Sequence, residues 1–360
     1  MEKKKIIKRA VLLIIVLYFF LLSIKLMEAS FKLFGTGFAE SLISFTTNPI
    51  VGLFIGILAT SLVQSSSVTT SILVGLTATG ALSISNAIPL IMGANIGTSI
   101  TNTIVSLGHI TKKEEFRKAF EVATVHDFFN FIVVIIMFPL EMYFHILENC
   151  ALFLTQFFLS SNMNVRFTSP LNYILKPATH SIQNLLSNNA AIILFFSLIL
   201  LFFSLRYFVK VIKPSAKLEF KHLLNKHIFK TPLRSFGFGL VLTGVVQSSS
   251  VSTSLIVPLV GVGILTLEKI FPYILGANIG TTFTALIASL VTGSPAAVTV
   301  ALEHVLFNTF GSVMIYPIRR IPIGLSKILA RLSQRTKIYP LAYIATTFYI
   351  IPSFVIFLFH

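Results

Sequence analysis

A long internal repeat constrains this chain more than any other feature. Gln64-Ser65-Ser66-Ser67-Val68 returns 183 residues later as Gln247-Ser248-Ser249-Ser250-Val251. In the same register Gly93-Ala94-Asn95-Ile96-Gly97-Thr98 returns as Gly276-Ala277-Asn278-Ile279-Gly280-Thr281, and Pro49, Gly56, Thr60 and Pro89 return as Pro232, Gly239, Thr243 and Pro272. Downstream the register shortens by five residues, and His126-x-x-Phe129-Asn130 with Pro139 returns as His304-x-x-Phe307-Asn308 with Pro317. The shortening belongs in a loop, where insertions and deletions cost least. The fold is therefore two copies of one unit, packed together.

Both units are apolar. Hydrophobic residues make up 55% of the chain and charged ones 11%, and several runs reach the roughly 20 helical residues needed to cross about 30 Å of hydrocarbon. This predicts an all-α polytopic membrane protein; alternating ten-residue segments, the mark of an outer-membrane barrel, do not occur. The apolar run at 10–22 lacks a clean small-residue cleavage site and reads as a first span rather than a signal peptide. A single cysteine, Cys150, excludes an internal disulfide and a Cys-based metal site. The net charge of +16 sits in the segments between spans, where it reads as the positive-inside bias and not as nucleic-acid binding.

That bias fixes a path. Lys3, Lys4, Lys5, Lys8 and Arg9 hold the N-terminus in the cytoplasm before a first span at 10–28. Residues 49–80 are split by the first Gln-Ser-Ser-Ser tetrad into halves too short to cross, and read as a re-entrant helical hairpin. A broken transmembrane helix at 86–107, interrupted at Gly93 and Gly97, delivers Lys112, Lys113, Arg117 and Lys118 to the cytoplasm, and a span at 119–140 returns outward. An extracytoplasmic loop at 141–185 follows. The second repeat begins with a span at 186–209, which leads into the densest basic segment, including Lys210, Lys213, Lys217, Lys221, Lys226 and Lys230. Then come a hairpin at 232–263, a broken helix at 268–291 and a span at 297–317. A basic segment from Arg319 to Lys337 and a last span at 339–358 leave the C-terminus extracytoplasmic.

The domain division is thus 1–140, 141–185, 186–317 and 318–360. Of the 28 Lys and Arg, only Lys25, Lys32, Arg166 and Lys176 fall outside the cytoplasm. Three crossings separate the two tetrads, so the repeats have inverted topology. Inverted repeats with broken helices are the architecture of secondary transporters, which bind substrate near the bilayer midplane where the repeats meet.

The repeated motifs carry the chemistry. Polar groups at membrane depth are tolerated only where they are buried in protein or line a wet cavity. At a hairpin tip a new helix begins, offering free N–H groups and positive dipole to an anion, and Ser65, Ser66, Ser67, Ser248, Ser249 and Ser250 add hydroxyl donors. A Ser-rich turn can also serve only to cap or pair helices; repetition at inverted sites favours the ligand. In the second motif two glycines after Pro89 or Pro272 permit unwinding. Asn95 with Thr98, and Asn278 with Thr281, then supply neutral oxygens suited to a hard monovalent cation, since calcium or magnesium would ask for carboxylates. The competing reading of these glycines is close helix packing. Within the spans Glu121, His126, Asp127, Glu303 and His304 are ionisable and functional by default. Even so, His126 with Asn130, and His304 with Asn308, one turn apart, are as well placed to brace the unwound segment as to touch ligand.

With these residues assembled, the chain resembles the type II sodium-dependent phosphate cotransporter family, in particular bacterial members without a PhoU-like domain. The resemblance rests on both tetrads, both Gly-Ala-Asn-Ile-Gly-Thr hexads, Thr98-Ser99-Ile100-Thr101-Asn102-Thr103-Ile104-Val105 and Ala123-Thr124-Val125-His126-Asp127-Phe128-Phe129-Asn130. It covers roughly 45–140 and 230–317. The second repeat departs from the first, with Ala285 at the position of Asn102 and Val305 at that of Asp127. The 141–185 loop also lacks the disulfide of larger members. The resemblance implies a plasma-membrane symporter of inorganic phosphate and sodium, with sodium as coupling ion and no other cofactor. It places phosphate at the six tetrad serines, and sodium at Gln64, Asn95, Thr98, Gln247, Asn278 and Thr281. A homodimer is left open. The rivals are a carrier of another oxyanion or a sodium-independent phosphate exporter. An intramembrane hydrolase using Ser66, His126 and Asp127 is disfavoured: no nucleophile elbow frames the serine, and adjacent His126 and Asp127 point apart on a helix. The chain is expected not to be an enzyme.

Overall fold

The computed structural model describes residues 2–44, 48–160, 170–215, 222 and 224–359. Of the residues in the basic pattern, Arg166, Lys217 and Lys221 lie outside these. The described residues contain no strand. The first half holds α1 (Glu2–Ser44), α2 (Pro49–Val63), α3 (Ser66–Ala78), α4 (Ile84–Gly97), α5 (Ile100–Leu107), α6 (Lys113–Phe144), α7 (Ile146–Ser160) and α8 (Pro170–Leu185). The second holds α9 (Ala190–Ser215), α10 (Pro232–Val246), α11 (Ser249–Ser254), α12 (Ile256–Gly261), α13 (Leu267–Thr292), α14 (Pro295–Ile315) and α15 (Arg320–Ser333). The chain ends with α16 (Ile338–Ala345) and α17 (Ile351–Phe359), joined by a wider π-type turn.

Among the described residues, seven helical stretches are long and apolar enough to cross a membrane: Val11–Ser30, Ile84–Leu107, Lys113–Phe144, Ala190–Phe208, Leu267–Leu290, Pro295–Ile315 and Ile338–Phe359. They coincide with the seven expected spans. Phe20, Phe120, Phe129, Phe271 and Phe307 are buried in the core, while Phe195, Phe203, Val313 and Phe357 are exposed. An apolar rim of that kind suits lipid and not water. The fold is that of a multi-pass helical membrane protein.

The sequence repeat is repeated local structure. Asn48 accepts from the N–H groups of Ile50 and Val51 ahead of Pro49, and Thr231 accepts from that of Arg234 ahead of Pro232, so α2 and α10 start on equivalent caps. Each then packs on its partner, α2 on α4 and α10 on α13, through glycine. A Cβ on Gly56 would stand 2.2 Å from Leu90 O, on Gly93 1.9 Å from Leu53 O, and on Gly97 2.7 Å from Ile57 O. At the equivalent positions, Gly239 would meet Tyr273 O at 2.1 Å, Gly276 Phe236 O at 2.0 Å and Gly280 Leu240 O at 2.5 Å. The backbones touch, and only hydrogen fits between them.

This corrects the expected use of those glycines. The helix expected to be broken at 268–291 runs unbroken as α13, with Pro272 inside it. In the first repeat only Thr98 and Ser99 separate α4 from α5, and both keep right-handed helical backbone angles. The glycines therefore serve packing in both repeats, with a helix break after Gly97 in the first alone, because close approach of two helices needs the same missing Cβ that a turn would use. The segment 141–185, expected as an extracytoplasmic loop, contains α7 and α8. α7 is capped by Glu141, whose carboxylate accepts from the N–H groups of Leu147 at 2.6 Å and Glu148 at 3.1 Å.

The segments assigned to one side by their basic residues lie together. Lys327 on α15 pairs with Glu268 at 2.5 Å, Gln334 donates to Lys113 O at 3.1 Å, and Lys269 donates to Asn225 at 2.5 Å.

Candidate functional site

The site grows from two identical breaks in the backbone. Gln64 ends α2 and Gln247 ends α10, both in the left-handed region, at φ 53° and 57°. A residue other than glycine rarely sits there. Each then hands over to an extended serine: Ser65 caps α3 by accepting from Val68 N–H, and Ser248 caps α11 by accepting from Val251 N–H. The paired helices are also stitched behind the break, by Thr60 Oγ1 to Thr69 Oγ1 at 3.0 Å and by Thr243 Oγ1 with Ser252 Oγ at 2.6 Å.

Far apart in sequence, the two breaks meet. Ser67 Oγ donates to the main-chain oxygen of Gln247 at 3.4 Å. Beside this contact lies a cavity of about 430 Å³, into which Ser65, Ser67 and Ser71 project from one turn, and Gln247, Ser248 and Thr284 from the other half. Of the six serines expected to receive an oxyanion, Ser65, Ser67 and Ser248 line it. Ser66, Ser249 and Ser250 are buried beside it; Ser66 O accepts from Thr70 Oγ1 at 2.8 Å, and Ser249 N–H donates to Thr281 Oγ1 at 3.1 Å. Gln247, expected among the cation ligands, lies on the cavity wall.

Of the remaining expected residues, His126, Asn278, Asn130 and Asn95 form a second, buried layer. His126 Nε2 contacts Asn278 Oδ1 at 3.0 Å, Asn278 Nδ2 donates to Asn130 Oδ1 at 3.2 Å, and Asn130 Nδ2 donates to Asn95 O at 2.8 Å. One chain of hydrogen bonds thus ties α6 to α4 and α13, and with them the two repeats. The equivalent residues of the second repeat do less. Among the described residues, Asn308 Nδ2 donates only to His304 O, within its own helix, while Asn308 Oδ1 and both His304 ring nitrogens are buried without a partner. Thr98 Oγ1 donates to Ala94 O at 2.8 Å.

Two sequence differences between the repeats acquire partners. Asn102 Oδ1 accepts from Thr253 at 2.9 Å and Ser254 at 3.1 Å, on the helix that follows the second serine turn. Asp127 Oδ2 accepts from Tyr343 at 2.7 Å. His126 and Asp127, adjacent in the chain, therefore engage opposite partners. Gln64 is fully buried, and among the described residues neither its Oε1 nor its Nε2 finds a partner; Ser61 Oγ and Thr101 Oγ1 are likewise unpaired there. Buried polar atoms of this kind are rare without a ligand or water to satisfy them.

Sequence reasoning missed Ser71 and Thr284, although the 183-residue register pairs them with Ser254 and Thr101, and it missed Tyr343, which lies outside both repeats. It also missed Lys25, Glu28 and Lys32 of α1, which line the same cavity as the serine turns. Their spacing along one helix face was legible, but Lys25 and Lys32 counted only as exceptions to the charge rule.

Residues 19–163 and 200–334 match the Na+/Pi-cotransporter family. Curated relatives include sodium-dependent phosphate transport protein 2B of Homo sapiens, 33% identical over 92% of this chain and 62% of its own length. The 2B protein of Pongo abelii is 32% identical over 92% and 63%, and the 2A protein of Rattus norvegicus 32% over 93% and 65%. The chain thus spans less than two thirds of these relatives. No solved structure matches the chain significantly.

Proposed function

Because the chain belongs to the Na+/Pi-cotransporter family, we propose that it is a secondary transporter, carrying inorganic phosphate across the plasma membrane in symport with sodium. The observation that carries this reading is the meeting of the two serine turns, Ser67 on Gln247, beside a cavity walled by hydroxyls of both halves. Two helix starts and several O–H donors around one hollow are what a small tetrahedral oxyanion needs inside a low-dielectric protein. The names of the relatives, sodium-dependent phosphate transport proteins, support the same substrate and coupling ion.

In this scheme phosphate takes Ser65, Ser67 and Ser248 first, with Ser66, Ser249 and Ser250 joining as the turns shift. Sodium is held by neutral oxygens from the set Gln64, Asn95, Thr98, Gln247, Asn278 and Thr281. The unpaired, buried Gln64 amide is the strongest support for that set. His126 and Asn130 brace Asn278 and Asn95, and His304 and Asn308 are the corresponding residues of the second half. The two halves are inverted in the membrane and the serine turns are tips of re-entrant hairpins. The N-terminus faces the cytoplasm and the C-terminus the outside. Transport is by alternating access, the paired helices moving against the outer spans. A bound sodium lowers the cost of bringing an anion out of water, so each ligand tightens the other by the same factor.

The test is phosphate uptake into proteoliposomes with and without an inward sodium gradient; uptake indifferent to sodium removes the coupling. Competition with sulfate and arsenate checks the substrate. Gln64→Ala is expected to raise the sodium concentration needed for half-maximal uptake by about tenfold, the loss of roughly 1.4 kcal/mol of binding. Its phosphate KM at saturating sodium should move much less. A sodium dependence equal to the wild type's would take Gln64 out of the cation site.

A further inference from the structure

Lys25, Glu28 and Lys32 fall at positions i, i+3 and i+7 of α1, on one helical face. Lys25 Nζ lies 2.8 Å from Glu28 Oε2, and Glu28 Oε1 accepts from Ser248 Oγ at 3.5 Å. One carboxylate is therefore held between an ammonium and the capping hydroxyl of the second serine turn. The same three residues line two hollows. One is the cavity between the serine turns; the other, of about 500 Å³, opens beside α8 and is lined also by Lys176, His180 and Gln183. The α1 face thus joins an outer basic hollow, with Lys25, Lys32 and Lys176, to the inner cavity of hydroxyls.

We propose that this face is an anteroom for oxyanions in which Glu28 is a tethered competitor of the substrate, holding Ser248 until a phosphate displaces it. The proposal rests on the oxyanion reading of the serine cavity and adds to it the residues that set affinity. Lys32 and Lys176 draw an anion inward, since like-signed groups lining a cleft focus the field there. A carboxylate offers one of its two oxygens to Ser248, at the outer limit of hydrogen-bond length, so the contact exchanges cheaply. When phosphate takes the Ser248 hydroxyl, Glu28 keeps Lys25 as its counter-ion, and its negative charge opposes phosphate at close range. Affinity for phosphate is thereby held below what the serines and lysines alone would give, which favours release on the far side of the membrane.

The experiment is the phosphate dependence of sodium-driven uptake by reconstituted wild type, Glu28→Gln, Lys32→Met and Lys32→Arg, each normalised to protein in the vesicles. Glu28→Gln keeps an oxygen for Ser248 but removes the charge, and is expected to lower the phosphate KM by about threefold or more. Lys32→Met should raise the KM by a similar factor, and Lys32→Arg should restore it. An unchanged or raised KM in Glu28→Gln, or a Lys32→Met variant with the wild-type KM, overturns the proposal. If Glu28→Gln does not reach the membrane, the two Lys32 variants decide it. If the wild type shows no sodium-driven uptake, the symport reading fails on its own. Equilibrium binding of radiolabelled phosphate to the same purified proteins then decides this proposal, with the same order of affinities expected and equal affinities overturning it.

Discussion

Replacing Gly276 by alanine is expected to leave little folded protein in the membrane. A Cβ there would stand 2.0 Å from Phe236 O and 2.9 Å from Leu240 N, both main-chain atoms of α10 that no rotamer change can remove. The neighbouring contacts of Gly239 and Gly280 belong to the same seam, so one methyl group must push the two helices apart along its length. Overfilling a packed site costs about 1–3 kcal/mol and occasionally more; with backbone as the obstacle the upper end applies. Gly237, on the facing helix α10 with nothing within 4 Å of its Cβ position, is the control. Gly237→Ala should be neutral or gain some of the roughly 1 kcal/mol by which alanine favours helix. Yield of monodisperse protein in detergent and its thermal midpoint measure both. A Gly276→Ala protein as stable as Gly237→Ala would show that α10 and α13 do not touch as described.

Asn278→Ala is the second large effect. Its amide is the middle of the chain His126–Asn278–Asn130–Asn95. Truncation leaves His126 Nε2 and Asn130 Oδ1 buried and unpaired, at about 1–3 kcal/mol for each. The His126 ring already has Nδ1 without a partner, so it has nothing left to bind. Uptake is expected to fall at least about tenfold, with a lowered thermal midpoint, given that roughly 1.4 kcal/mol on a barrier is a factor of ten in rate. Asn95→Ala is the informative comparison. Asn130 bonds to the main-chain oxygen of Asn95, which alanine keeps, and the Asn95 side chain itself donates only to Ile91 O. Its thermal midpoint should therefore fall much less. Equal losses in the two variants would mean that the chain of bonds does not tie the two halves together.

Much of this was legible in the sequence because it is local. A glutamine before a run of serines, with proline and a capping residue at the far end of the preceding helix, specifies where one helix stops and the next begins. The structure realises both copies with nearly the same backbone angles. Span positions were legible for the same kind of reason: crossing a bilayer is a matter of length and apolarity within one stretch of chain. The hexad glycines were legible as special but not as to purpose. Unwinding and close packing both ask for a missing Cβ, and only the Leu53 and Phe236 oxygens, about 2 Å from where a Cβ on Gly93 or Gly276 would stand, decide for packing.

The sequence alone determined that there are two like units, seven apolar spans and two serine-capped breaks, since each follows from neighbours along the chain and the cost of polar groups in hydrocarbon. Tertiary structure alone decided that the two breaks touch, that Asn278 and not Asn95 takes the histidine, and that Lys25, Glu28 and Lys32 of the first helix face the serines. Those are contacts between residues some 150 to 220 positions apart. No local pattern encodes them, because two copies of nearly the same motif offer the same donors and acceptors, and which pairs form depends on how the helices carrying them are packed.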